Sequence, residues 1–267
     1  MTGVTGERDF VEALARGLDV IKVFGATRLE LTVSEVAAAT NLARPTARRL
    51  LLTLETLGYV RSSQGSYVLT PKVLELGTSY IDAQGMWDIA RPHLRALVDE
   101  TRESSSMSQL DGSDIVYTAR VPVAKIIGLS VQIGTRFPAV ATSMGQVLLA
   151  DLPKSDLDRV VAVPSQSNVV PRVTLTRRQL DSALATVRER GWALSDEQLT
   201  LGIRSIAVPV RDSSGRTVAA VNVTVHAAET TIDELRNEHL PKLLSTAAAI
   251  SDDFARLGTL PRSNPLR

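Results

Sequence analysis

The 267-residue sequence contains no cysteine, which excludes disulfides, thiolate metal sites and cysteine nucleophiles at once. Aromatic residues make up only 4% of the chain and histidines number three. His93, His226 and His239 are scattered, with no spacing suited to a metal site. The sequence shows no P-loop, no GxSxG elbow and no paired histidines, so neither catalytic residues nor a metal or cofactor is expected. No window offers about 18 consecutive apolar residues, and the N-terminus, MTGVTGERDF, has no apolar signal core. A cytoplasmic chain with no membrane partner is the expectation.

Charge of one sign is also lacking, because the net charge is +1. What counts for a nucleic-acid partner is distribution rather than sum. Between Asn41 and Arg61 stand Arg44, Arg48, Arg49 and Arg61 against Glu55 alone, a local +3. With 44% hydrophobic and 22% charged residues, the chain has the composition of a globular protein. Its length suffices for two modest domains.

Leu31 to Tyr67 is the most informative stretch. Upstream of it, Phe10, Leu14, Leu18, Ile21 and Phe24 recur at helical spacing and predict an amphipathic helix over 10–24. Thr32 and Glu35 match a capping box that opens a second helix, in which Val36, Ala37 and Ala39 supply small apolar surface. Asn41 suits the left-handed turn that follows. A third helix begins near Arg44-Pro45-Thr46, proline being favoured at the first helical position. Leu50, Leu51, Leu54 and Leu57 form its buried stripe, while Arg44, Thr46, Ala47, Arg48 and Arg49 project from its first turns. Gly58 ends the helix, and Tyr59 to Arg61 and Ser66 to Leu69 alternate as two strands around a Gln64-Gly65 turn.

Helix, turn, helix and hairpin together describe a winged helix-turn-helix, which seats one helix in the DNA major groove. The candidate contacts to double-stranded operator DNA are Arg44, Pro45, Thr46, Arg48 and Arg49 on the helix and Arg61 on the wing. Thr70-Pro71 then opens a linker helix. The boundaries read as 1–71 for the DNA-binding domain, 72–88 for the linker helix, 89–257 for a second domain and 258–267 for a C-terminal tail.

In the second domain Trp87 to Thr101 reads as a helix with Ile89, Pro92, Leu94, Leu97 and Val98 inward. Apolar strands follow over 105–110, 114–121, 126–131, 205–211 and 217–225, and helices over 143–152, 176–190 and 232–257. Hairpin-like spacing around these helices gives an α+β domain with an antiparallel sheet. Within it, Phe137 to Gly145 carries chemistry: Thr142 or Ser143 can cap a helix whose exposed N–H groups and positive dipole end suit a carboxylate. Arg120 and Arg136 could pair with a second carboxylate.

ARGLDVIKVF, LTVSEVAAATNLARPTARRLLLTLETLGYV and YVLTPKVLELGTSYI resemble the IclR family of bacterial transcriptional regulators. The resemblance continues in PAVATSMGQVLLA, GWALSDEQLTLGIRSIAVPVRDSSG and TVAAVNVTV, and spans about residues 10 to 257. ARVPVAKIIGLSVQIGTRFPAVATSMGQVLLA resembles the branch that controls β-ketoadipate pathway genes, whose members respond to protocatechuate, 4-hydroxybenzoate or 3-oxoadipate. The resemblance implies a GAF-like effector-binding fold and an acid group held at the Thr142-Ser143-Met144 turn. It implies further pocket positions at Ser195, Ser205, Asn222 and Thr224, with Ile126, Leu129 and Phe137 as the apolar wall. The usual family pattern has an acid where Ser195 stands and a thiol where Ser205 stands. A ligand-responsive regulator of aromatic-acid catabolism, acting as a homodimer or homotetramer, is the function so implied. The alternatives are a protein-interaction module whose winged helix binds no DNA, and a small-molecule enzyme with a DNA-binding appendage.

Overall fold

The computed structural model describes residues 9–25, 28–77, 86–123 and 131–259. The chain divides into two compact units, Met1–Ala83 and Gln84–Arg267. Of the expected linker helix, a 3-10 turn at Pro71–Val73 and a helical stretch over 74–77 belong to the first unit. Residues 86–88 instead begin the first long helix of the second. Positions 78–85 lie outside the described residues.

The first unit runs α1 (Glu12–Lys22), β1 (Glu30–Thr32), α2 (Val33–Thr40), α3 (Arg44–Thr56), β2 (Val60–Ser63) and β3 (Ser66–Leu69). The capping box forms: Glu35 N–H donates to Thr32 Oγ1 at 3.3 Å and Thr32 N–H to the Glu35 carboxylate at 2.8 Å. Asn41 ends α2 in the left-handed conformation, φ 53°. Ala43 is the N-cap of α3, so Pro45 is its second helical residue rather than its first. The missing N–H costs nothing at either place. Gln64 and Gly65 both take positive φ, 48° and 91°, the pair that a tight two-residue hairpin needs. The hairpin gains a third strand that the sequence pattern does not reveal: β1 pairs antiparallel with β3, in the order β1-β3-β2.

The core of this unit holds Val20, Phe24, Leu31, Val36, Ala37, Ala47, Leu51, Leu54, Val60 and Tyr67. Several expected core positions lie outside it. Phe10, Leu14, Leu18 and Leu57 are exposed, as is Ala39. Leu14, Leu18 and Leu57 belong instead to an open groove that also involves Ile21, Leu50 and Leu54. Helical spacing finds an apolar stripe but does not say which edge of it the neighbouring helix covers.

The second unit begins with α4 (Met86–Thr101), β4 (Ser104–Asp111), β5 (Asp114–Val121) and β6 (Arg136–Pro138). A 3-10 turn (Ala139–Ala141) then leads into α5 (Ser143–Ala150), α6 (Lys154–Ala162) and α7 (Arg177–Arg190). The chain continues with β7 (Ala193–Asp196), β8 (Ile203–Arg211), β9 (Thr217–His226) and α8 (Ile232–Glu234). A π turn (Leu235–His239) joins α8 to α9 (Leu240–Thr259). The strands form one antiparallel six-stranded sheet, ordered β6-β5-β4-β9-β8-β7. One face carries Met107, Ala119, Val208, Val221 and Val223 into a core with α4 and α9. The other carries Ile115, Tyr117, Ala207 and Ala220 against α5, α6 and α7. In α4, Pro92 is exposed while Ala90 is buried, because the inward face runs through 86, 90, 94, 97 and 101. The expected strand over 126–131 falls largely on residues outside those described.

Every residue of α5 is buried. Gly145 makes that possible, since a Cβ there would lie 2.1 Å from the Ala139 carbonyl oxygen. Replacing Gly145 with alanine must therefore push α5 off the preceding turn. An overpacking cost of about 1–3 kcal/mol follows, read as a fall of roughly 3–10 °C in the thermal midpoint. An unchanged midpoint would show that the turn yields freely.

Candidate DNA-reading surface and ligand cavity

On α3, Ala47, Leu51 and Leu54 face inward. At 100° per residue, Pro45, Arg49 and Leu52 then lie on the outer face, with Arg44, Arg48 and Glu55 along one flank. Arg44, Pro45, Arg48, Arg49 and Arg61 are exposed and Thr46 is half-buried. Ala47 is completely buried, so it belongs to the core rather than to the projecting set. Among the described residues, none of the four arginines is paired with a carboxylate. Glu55, the one acid of this segment, is occupied elsewhere. Its carboxylate accepts from Ser62 N–H at 2.9 Å and from Ser62 Oγ at 2.6 Å. Those bonds hold its pKa below the ordinary carboxylate value and tie β2 to the Arg44–Arg48 flank. Arg61 follows Val60 on that same strand. The result is a cationic strip on one helix and one wing.

The second unit contains a cavity of about 340 Å³ between its sheet and the N-terminus of α5. Thr142 is the N-cap, its Oγ1 accepting from Gly145 N–H at 3.1 Å. Thr142 thus takes the capping role that the sequence left open between it and Ser143. The N–H groups of Ser143 and Met144 have no acceptor among the described residues, as expected of the first two helical positions. Ser143 Oγ shares a 2.8 Å hydrogen bond with Ser205 Oγ on β8. Ser195 sits opposite Ser205, and Ser205 opposite Thr224, in the strand register. Asn222 Nδ2 donates to Thr224 Oγ1 at 2.9 Å, and Asn222 Oδ1 accepts from Ser106 N–H at 3.1 Å. The cavity floor is thus a row of hydroxyl and amide groups across neighbouring strands.

Thr142, Ser143, Met144, Ser195, Ser205, Asn222 and Thr224 all line this one cavity. Ile126 and Leu129 lie outside the described residues. Phe137 is buried but does not line the cavity. Its ring stands edge-on to Tyr117 at 5.6 Å, so it backs a lining residue instead of forming the wall. The apolar wall comes from Tyr117, Val123, Val131, Leu199 and Ile203. Burial pushes the Tyr117 phenol up to about 12. Arg120 lines the cavity, half-buried, with its Nη1 donating to Ser106 Oγ at 3.0 Å. Arg136 does not line it; it forms ion pairs with Asp111 and with buried Asp114. Of SSSMS (residues 104–108) only Ser104 lines the cavity, while Ser105, Ser106 and Ser108 are fully buried in the same central strand.

Comparison with known proteins extends these observations. Residues 13–64 match the IclR helix-turn-helix domain, and residues 78–252 match the family described as bacterial transcriptional regulator IclR C-terminal. The Pca regulon regulatory protein of Pseudomonas putida is 37% identical over 244 residues, covering 91% of this chain and 84% of that protein. The p-hydroxybenzoate hydroxylase transcriptional activator of Acinetobacter baylyi is 32% identical over 244 residues, covering 90% of each. Among solved structures, a transcriptional regulator from Rhodococcus sp. RHA1 superposes with a TM-score of 0.82 at 46% identity. It covers 93% of this chain and 100% of its own.

The unpaired arginines make a quantitative prediction. Arg44→Ala, Arg48→Ala, Arg49→Ala and Arg61→Ala should each lower the slope of log affinity against log salt by about one wherever the side chain meets a phosphate. An arginine that reads a base edge should instead cost about 1–3 kcal/mol and relax preference at one base pair. Slopes unchanged in all four variants would remove this strip from the interface.

Proposed function

This chain belongs to the IclR family of bacterial transcriptional regulators, and we propose that it controls aromatic-acid catabolism, within the β-ketoadipate branch, in response to a small carboxylic acid. The effector is 3-oxoadipate, protocatechuate or 4-hydroxybenzoate, or a close relative of these acids. The observation that carries this reading is the pairing of N–H groups at Ser143 and Met144, which have no acceptor among the described residues, with a polar floor inside one cavity. A carboxylate there would satisfy both donors and the positive end of the helix dipole. Similarity to regulators named for the Pca regulon and for p-hydroxybenzoate hydroxylase supports the pathway.

The cavity is proposed to bind its acid without converting it. Ser143 and Ser205 are hydrogen-bonded to one another rather than to a base, and a hydroxyl without a base is a poor nucleophile. The winged helix is proposed to read operator DNA as part of a dimer or tetramer in the cytoplasm. Two recognition helices would then meet half-sites about 34 Å apart, or a multiple of that. The acid acts by shifting the population of DNA-competent molecules. Coupling of about 1–3 kcal/mol corresponds to a change in operator affinity of roughly 5- to 150-fold.

Fluorescence anisotropy on DNA upstream of this protein's own gene and its neighbours tests the proposal, with each of the three acids in turn. Tight binding shifted several-fold by one acid is the expected result. Binding that none of them shifts would remove the pathway assignment. No binding at low salt would instead favour an interaction module.

A further inference from the structure

Arg120 is the only arginine or lysine among the described residues lining the cavity, and of the two arginines that the sequence offered for a second carboxylate it is the one that reaches this lining. It stands on β5, half-buried, and donates one hydrogen bond to the neutral Ser106 hydroxyl. Among the described residues no carboxylate is paired with it. Glu103, the acid that shares the lining, is itself engaged. Burial lowers the Arg120 pKa, the sign of a charge held partly out of water. A guanidinium in that position is costly unless an anion meets it. Its remaining donors form a fork that matches a carboxylate.

We propose that Arg120 is the specificity-determining residue of this cavity, holding a second carboxylate of the effector at the end opposite α5. The inference rests on the reading that a first carboxylate docks at the α5 N-terminus. Register gives the span. Arg120 faces Ser106, Ser106 faces Asn222, and Asn222 faces Ala207, two residues along β8 from Ser205. Ser106 and Ser205 are thus two strand spacings and two residues apart. At about 4.8 Å per strand and about 3.3 Å per residue the gap is roughly 12 Å. The guanidinium hydrogen-bonds Ser106 at one end of this line, and the Ser143 hydroxyl meets Ser205 at the other. A linear diacid of about four to six carbons bridges such a gap with a hydrogen bond of about 2.9 Å at each end. A monoacid of the same length would leave the guanidinium without an anion.

Isothermal titration calorimetry on the full chain tests the assignment. Succinate, glutarate and adipate are compared with the monoacids of equal length, in wild type, Arg120→Gln and Ser143→Asp. The wild type should favour its best diacid over the matching monoacid by about ten-fold or more. Arg120→Gln should erase that preference while leaving monoacid affinity unchanged. Ser143→Asp, which sets a negative charge at the α5 N-terminus, should abolish both. A diacid preference that survives Arg120→Gln would overturn the role of Arg120, as would a wild type with no diacid preference. Monoacid binding that survives Ser143→Asp would overturn the underlying α5 site instead. Circular dichroism and an unchanged cooperative thermal unfolding transition would show that each variant is folded.

Discussion

Gly145 lets α5 lie against the 139–141 turn at a distance that any side chain would forbid. From that contact the rest of the cavity follows. The turn ends at Thr142, whose hydroxyl satisfies Gly145 N–H, while the two preceding N–H groups have no acceptor among the described residues. Close packing brings Ser143 within hydrogen-bonding distance of Ser205 on the sheet. Helix dipole, free donors and polar floor then converge on one volume. A bulkier residue at 145 would separate them and leave an ordinary buried helix end.

The sheet beneath shows the complementary compromise. Ser105, Ser106, Ser108 and Asn222 are buried in central strands where branched apolar residues would pack better. Each has a partner: Ser105 donates to the Asn222 carbonyl, Ser108 to the Met144 sulfur, and Asn222 bridges to Thr224. Buried polar groups satisfied in this way hold their positions, because any displacement strands a donor. Of the four, Asn222 lines the cavity, and its bonds to Ser106 and Thr224 hold its amide in place there. In the first unit, Glu55 plays a comparable part. By bonding Ser62 it fixes the wing and frees the neighbouring arginines from an internal counter-charge.

Much of this was legible from residues alone. Thr32 with Glu35, Asn41, and Gln64-Gly65 specify local conformations through short-range chemistry, and each takes the expected geometry. The helix start capped at Thr142 was legible for the same reason. Long-range choices were not. Nothing local says that Leu14 and Leu18 face an open groove, that Ala47 is covered, or that Arg136 pairs with Asp111 and Asp114 instead of lining the cavity. The short strands β1, β6 and β7 also escaped notice, since three or four residues carry too little alternation to stand out. Phe137 was misplaced by its apolar character, which fits the second row behind Tyr117 as well as a cavity wall.

Coupling between the α5 cavity and the winged helix is tested most directly by reciprocity. Calorimetry would give the affinity of the effector acid for the chain alone and for the chain saturated with operator DNA. Linkage requires the acid affinity to change by the same factor as the acid changes operator affinity, about 5- to 150-fold for coupling of ordinary size. Equal factors are the predicted result. Acid that binds the free chain and the DNA-bound chain equally well would mean that the cavity does not control the DNA-binding unit.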